Sequence, residues 1–180
     1  MKRIIGALIF GFLAACTQDA PVLTPVETFR DPAAQIASQT NVTADRMAGD
    51  WAIRQRFAAP TSPQTGMALT TLPNGALQLS ILTGGCIDDA CFEEEALVLF
   101  NQTGPGRWTP VDPPVGLIES ELWVMWMDFD DRTAAIGTPS GAFGWIMDKS
   151  PTGGADRITA ARDIMDWFGY DVSRLEEVSR

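Results

Sequence analysis

Trp123-Val-Met-Trp-Met-Asp-Phe-Asp-Asp-Arg-Thr-Ala-Ala-Ile-Gly-Thr-Pro139, followed by Phe143-Gly-Trp-Ile-Met-Asp-Lys-Ser-Pro151, is the stretch that decides the fold. Apolar, β-branched and aromatic runs are cut by clusters of Asp, Gly and Pro, which predicts short strands over 121–128, 132–137 and 142–149. The same texture reaches back to residue 49, with strands expected over 50–57, 67–72, 76–82, 92–100 and 106–111. The second and third of the eight are joined by Pro73-Asn-Gly75, where Asn-Gly is expected to supply the positive φ angles of a tight hairpin turn. Every connector is too short for a crossover helix, so consecutive strands must be antiparallel neighbours. Eight of them lose their edges by closing on themselves. The expected fold class is therefore all-β, an eight-stranded antiparallel up-and-down β-barrel, with an open sandwich as the alternative. Beyond the strands, Ile158, Ala161, Met165 and Phe168 fall near helical spacing within 155–168, and Gly169 stands where a C′ glycine belongs. One C-terminal α-helix is expected to pack outside the sheet.

The chain has 180 residues, with 13 basic and 23 acidic side chains, no histidine and three cysteines. Lacking histidine, it has no Ser-His-Asp or Cys-His triad, no imidazole base and no His-ligated zinc or haem. The net charge of -10, with Lys2 and Lys149 the only lysines, disfavours phosphate backbones, so no nucleic acid is expected as a partner. The acids Asp128, Asp130 and Asp131 cluster in a turn with no matched base or nucleophile, so enzymatic activity and a catalytic site are not expected. Neither a metal nor another cofactor is implied.

Lys2-Arg3, the apolar run from Ile4 to Phe12, and Leu13-Ala-Ala-Cys16 have the order of an export signal over 1–15. The run is shorter than the roughly 20 residues that span a bilayer. Leu13-Ala-Ala-Cys16 also resembles a bacterial lipobox, which implies acylation of Cys16 with palmitate-like chains and a stable membrane anchor. Thr17 after the cysteine resembles an outer-membrane address, facing the periplasm in the cell envelope. Residues 16–48, with Pro21, Pro25 and Pro32, read as a lipidated N-terminus and spacer, leaving 49–180 as the barrel domain. Asp31 followed by Pro32 suits the start of a short helix within that spacer. In an oxidising compartment Cys86 and Cys91 are expected to pair as a local disulfide pinning a hairpin. The sharper reading, a metal or redox site with Asp88 and Asp89, lacks ligands and the usual two-residue spacing.

Asn41-Val-Thr-Ala-Asp-Arg-Met-Ala-Gly-Asp-Trp-Ala-Ile-Arg-Gln-Arg-Phe57 resembles the start of a lipocalin barrel, with Gly-x-Trp on the first strand. The stretch from Trp123 to Pro151 is similar to the family's second and third signature regions, and Gly169-Tyr-Asp-Val-Ser-Arg-Leu175 to the coda of the bacterial outer-membrane lipocalins. The resemblance covers about 41–178 and implies a cup that holds a small hydrophobic ligand. Lys149 stands where the family usually has an arginine packed over the first-strand tryptophan, here Trp51; the pair reads as the structural closed end. Asp131 stands near a usual tyrosine, and the first loop, Ala58 to Thr65, is shorter than usual, so the lid is the feature most altered.

Alternation along strands suggests the wall of the cup. Ile53 and Phe57 share a face with Trp51 opposite Arg54 and Arg56, Leu79 shares one with Leu77 and Ile81, and Phe143, Trp145 and Met147 share another. On the strand over 121–128 both faces are apolar; there the resemblance puts Leu122, Val124 and Trp126 inward, with Trp123 and Met125 outside. The ligand-binding candidates are thus Ile53, Phe57, Leu79, Val124, Trp126, Phe143, Trp145 and Met147. The plainer reading of each is core packing, because small barrels are often filled by their own side chains. Among Glu93, Glu94 and Glu95 alternation sends at least one inward. The function expected is a membrane-anchored lipocalin that binds a fatty acid, lysophospholipid or similar lipid. The alternative is a filled, structural barrel that works through its outward Trp123 and Met125 face or through a homodimer contact.

Overall fold

The computed structural model describes residues 27–57, 64–87, 90–113, 118 and 120–178. The export signal, Cys16, Asp88, Asp89 and most of the first loop lie outside them. Eight antiparallel strands follow one another: β1 (Asp50–Phe57), β2 (Gln64–Thr71), β3 (Leu77–Ile87), β4 (Ala90–Gly104), β5 (Arg107–Val111), β6 (Leu122–Met127), β7 (Thr133–Gly137) and β8 (Gly144–Asp148). Each pairs with its chain neighbour, and β1 pairs with both β2 and β8, so the sheet closes into a barrel. The β2–β3 turn is held by Leu72 N–H donating to the Ala76 carbonyl at 2.8 Å, and Gly75 takes the positive φ of 81°. Asn74 does not share it; its Oδ1 accepts instead from Ala76 N–H at 3.1 Å.

The helix α1 (Ala155–Trp167) buries Ile158, Ala161 and Met165 against the outside of the barrel. It stops at Gly169, whose φ of 84° turns the chain so that Tyr170 N–H reaches the Met165 carbonyl at 3.0 Å. A ninth strand, β9 (Leu175–Glu177), was not expected from the sequence. Among the described residues the β1–β2 pairing runs from Asp50 to Ala52, and β9 takes over that edge of β1 opposite Gln55, Arg56 and Phe57.

The described part of the expected spacer packs on the barrel. Phe29, Val42 and Met47 are buried, and Phe29 stacks on Phe57 with ring centres 5.0 Å apart. No helix starts at Asp31. Its Oδ1 accepts from Ala33 N–H at 2.8 Å and its carbonyl from Ala34 N–H at 3.1 Å, which makes a turn.

Two apolar cores result. The inner one lies inside the barrel and includes Trp51, Ile53, Leu79, Phe100, Trp108 and Trp145. The outer one lies between the wall and the helix and includes Phe57, Ile146, Met165 and Tyr170. Two bulges decide which residues enter which. On β1, Ile53 faces Met147 but Gln55 faces Ile146, so Arg54 is the extra residue. On β6, Val124 faces Ile136 but Trp126 faces Ala135, so Met125 is extra. An extra residue reverses the alternation beyond it.

Candidate ligand-binding interior

The closed end is built by β1, the turn before it and the β6–β7 hairpin. Trp51 Nε1 donates to the Met47 carbonyl at 2.8 Å, and Lys149 Nζ lies 4.9 Å from the centre of the Trp51 ring. Asp131, at φ 56°, forms an ion pair with Arg46 at 2.5 Å and so ties the turn before β1 to that hairpin. Asp128 accepts from the N–H groups of Arg132 and Thr133 at 2.6 and 2.7 Å, and Asp130 pairs with Arg132 at 2.7 Å. The three acids considered for catalysis are thus all engaged in shaping one hairpin. Nearby, Asp148 is buried and accepts from Thr133 Oγ1 at 2.5 Å and from Arg157 at 2.9 Å. Burial alone would raise the Asp148 pKa, but the hydrogen bonds from Thr133, Ser150 and Arg157 outweigh it and hold the carboxyl below its ordinary value.

Of the expected wall residues, Ile53, Leu79, Val124, Trp145 and Met147 are buried in the inner core, and Phe143 packs against it, half-buried. Phe57 and Trp126 are not on that wall. The β1 bulge turns Phe57 outward, where it stacks on Tyr170 at 5.4 Å. The β6 bulge turns Trp126 into the outer layer, beside a surface hollow it shares with Arg132 and Arg157. Trp123 and Met125 lie outside as expected.

The β1 bulge also brings inward a residue that alternation assigned to water. Arg56 is the register partner of Trp145, which faces the interior, and is 9% exposed. Burial pulls its guanidinium below its ordinary pKa, against the carboxylate of Glu176, its register partner on β9. Glu94 lies on the inward row through Ile81 and Thr83, yet it, Glu93 and Glu95 are all exposed at the mouth end. Trp108 and Phe100, on no candidate list, are fully buried inside. The alternation of Trp108 with Arg107 and Thr109 was the signal that could have found the first. Among the described residues no group of three or more His, Cys, Asp or Glu could hold a metal, and no helix is long and apolar enough to cross a membrane. Cys86 and Cys91 are directly opposed in the β3–β4 ladder.

From the outside, Tyr170 fastens the loop between β7 and β8. Its hydroxyl accepts from Thr138 N–H at 2.8 Å and lies within donating distance of the Thr138 and Phe143 carbonyls, at 3.0 and 3.1 Å. Burial pushes its pKa up, with the hydrogen bonds to Thr138 opposing.

A lipocalin-like domain family model matches residues 107–180. The barrel is similar to a cockroach major allergen, Per a 4, with a TM-score of 0.56 and 11% identity, covering 83% of this chain and 96% of that one. It is also similar to lobster apocrustacyanin A1, with a TM-score of 0.51 and 12% identity, covering 81% and 91% of the two chains. No curated protein matches the chain. The lipocalin fold generally binds small hydrophobic ligands, and members of the family are mostly binding or transport proteins rather than enzymes. By sequence the likeness to the lipocalin-like family thus spans residues 107–180, and the two solved structures share the fold of the described barrel.

Proposed function

We propose that this protein is a lipid-anchored lipocalin of a bacterial cell envelope, which takes a fatty acid, a lysophospholipid or a similar lipid into its barrel for transport, storage or envelope maintenance. The observation that carries the reading is the inner wall. Ile53, Leu79, Val124, Trp145 and Met147 converge from four strands on one apolar interior, the environment in which burial of an acyl chain supplies affinity. Acylated Cys16 would hold the cup beside its lipid source in the outer membrane, and the spacing of Lys2-Arg3, the apolar run and Leu13-Ala-Ala-Cys16 supports that anchor. A Cys86–Cys91 disulfide would pin the β3–β4 hairpin, and the direct opposition of the two residues supports it. The mechanism is binding without covalent chemistry.

Native mass spectrometry of the purified protein tests this reading. A bound acyl species released on denaturation is the expected result, and the same spectrum reads monomer against homodimer. A clean apo mass that also ignores added fatty acids and lysophospholipids would replace the reading with the filled, structural barrel. Cell fractionation of the wild type against Cys16→Ser tests the anchor, since the variant should leave the membrane fraction.

A further inference from the structure

Among the described residues, one buried side-chain nitrogen or oxygen lacks a hydrogen-bond partner: Trp145 Nε1. The residue is 1% exposed and sits in the inner core. A buried N–H without an acceptor is costly, and a native fold that retains one calls for an explanation. The other two indoles of the inner core have acceptors, Trp51 Nε1 at the Met47 carbonyl and Trp108 Nε1 at the Gly75 carbonyl, at 2.8 and 3.3 Å. Both acceptors belong to turns at the closed end. Trp145 lies one residue from the mouth end of β8, where an incoming molecule would meet it.

We propose that Trp145 Nε1 and Arg56 receive the anionic, oxygen-bearing head of an amphiphile whose acyl tail points to the closed end. The inference rests on the ligand-binding reading above and assigns the ligand's polarity and direction. Arg56 is the direct register partner of Trp145 on the same inner face, so their Cβ atoms lie within about 5.5 Å. An arginine keeps its charge even when burial disfavours it. An indole donor lacking an acceptor beside a desolvated guanidinium selects a carboxylate or phosphate oxygen, which accepts charge-assisted bonds from both. Glu176 faces the same guanidinium and would compete with the ligand head for it. Deeper along the wall, Ile53, Leu79 and Met147 offer only apolar contact, which suits the tail. It is the β1 bulge that turns Arg56 towards this site.

Calorimetric titration of the delipidated protein with dodecanoate, dodecyl phosphate and dodecylammonium tests the assignment. The tail is constant while the head is a carboxylate, a phosphate or a cation without an acceptor. The expected result is preference for an anion, the tighter of the two naming the head group. Trp145→Phe should then weaken that anion about tenfold, as loss of one charge-assisted hydrogen bond does, and leave dodecylammonium unchanged. Arg56→Gln should erode the same preference. Equal binding of all three heads, unaffected by Trp145→Phe, would overturn the polar site while leaving an apolar cup. Binding of none would overturn the cup as well.

Discussion

The two ends of this barrel treat their buried polar groups differently. At the closed end every buried side-chain donor described has an acceptor: Trp51 bonds the Met47 carbonyl, Trp108 the Gly75 carbonyl, and Arg157 and Thr133 share Asp148. Towards the mouth the polar groups are fastened on the outside, where Tyr170 holds the β7–β8 loop, while inside Trp145 keeps an N–H with nothing to bind. A satisfied network specifies one packed arrangement, and a buried unsatisfied donor is tolerated where something else completes it. The closed end is accordingly the foundation, and the mouth half is where we propose that a ligand acts.

That contrast can be broken at its strongest point first. Trp51→Ala removes one of the two indoles anchored at the closed end together with its bond to Met47, and urea unfolding should show a loss of about 3–5 kcal/mol. Asp148→Asn comes next, at about 3 kcal/mol, because Arg157 and Thr133 would face an uncharged partner. Its pH dependence follows from the sign of the shift. A carboxyl held below its ordinary pKa contributes stability above that value, about 3.9, and loses it as pH falls through the folded value. Acid unfolding curves should therefore have a shallower limb in the variant than in the wild type.

Tyr170→Phe should cost about 1–3 kcal/mol, because the buried Thr138 N–H loses its acceptor. Trp145→Phe should change stability least, by about 1 kcal/mol, since the nitrogen removed has no partner to lose and only the small cavity left by the smaller ring is destabilising. If thermal denaturation showed that change to be as harmful as Trp51→Ala, the mouth half would be foundation too.

Much of the barrel was legible in the sequence because turn residues punctuate it. The closing hairpins around Asp128 to Arg132 and Thr138 to Phe143 are marked by Asp, Gly and Pro, and β6, β7 and β8 fall where those marks predict. The regular strand β3 placed Leu77, Leu79 and Ile81 inside by plain alternation. Bulges defeated the same rule on β1 and β6, because no residue type announces that Arg54 or Met125 is supernumerary. Phe57 and Trp126 were thereby placed on the wrong face, and Arg56 was sent to solvent. Strand β9 was hidden for another reason: Leu175-Glu-Glu177 has no apolar alternation and exists through the free edge of β1. The packing of Phe29 was hidden by the prolines around it, and that of Val42 and Met47 because residues 16–48 read as a spacer.

The most direct test of the contrast is an assigned proton–nitrogen correlation spectrum of the indole N–H groups, recorded during titration with dodecanoate. The Trp145 signal should move downfield as its N–H gains an acceptor while those of Trp51 and Trp108 stay in place. A saturating ligand that leaves Trp145 unmoved, or that shifts Trp51 and Trp108 instead, would contradict it.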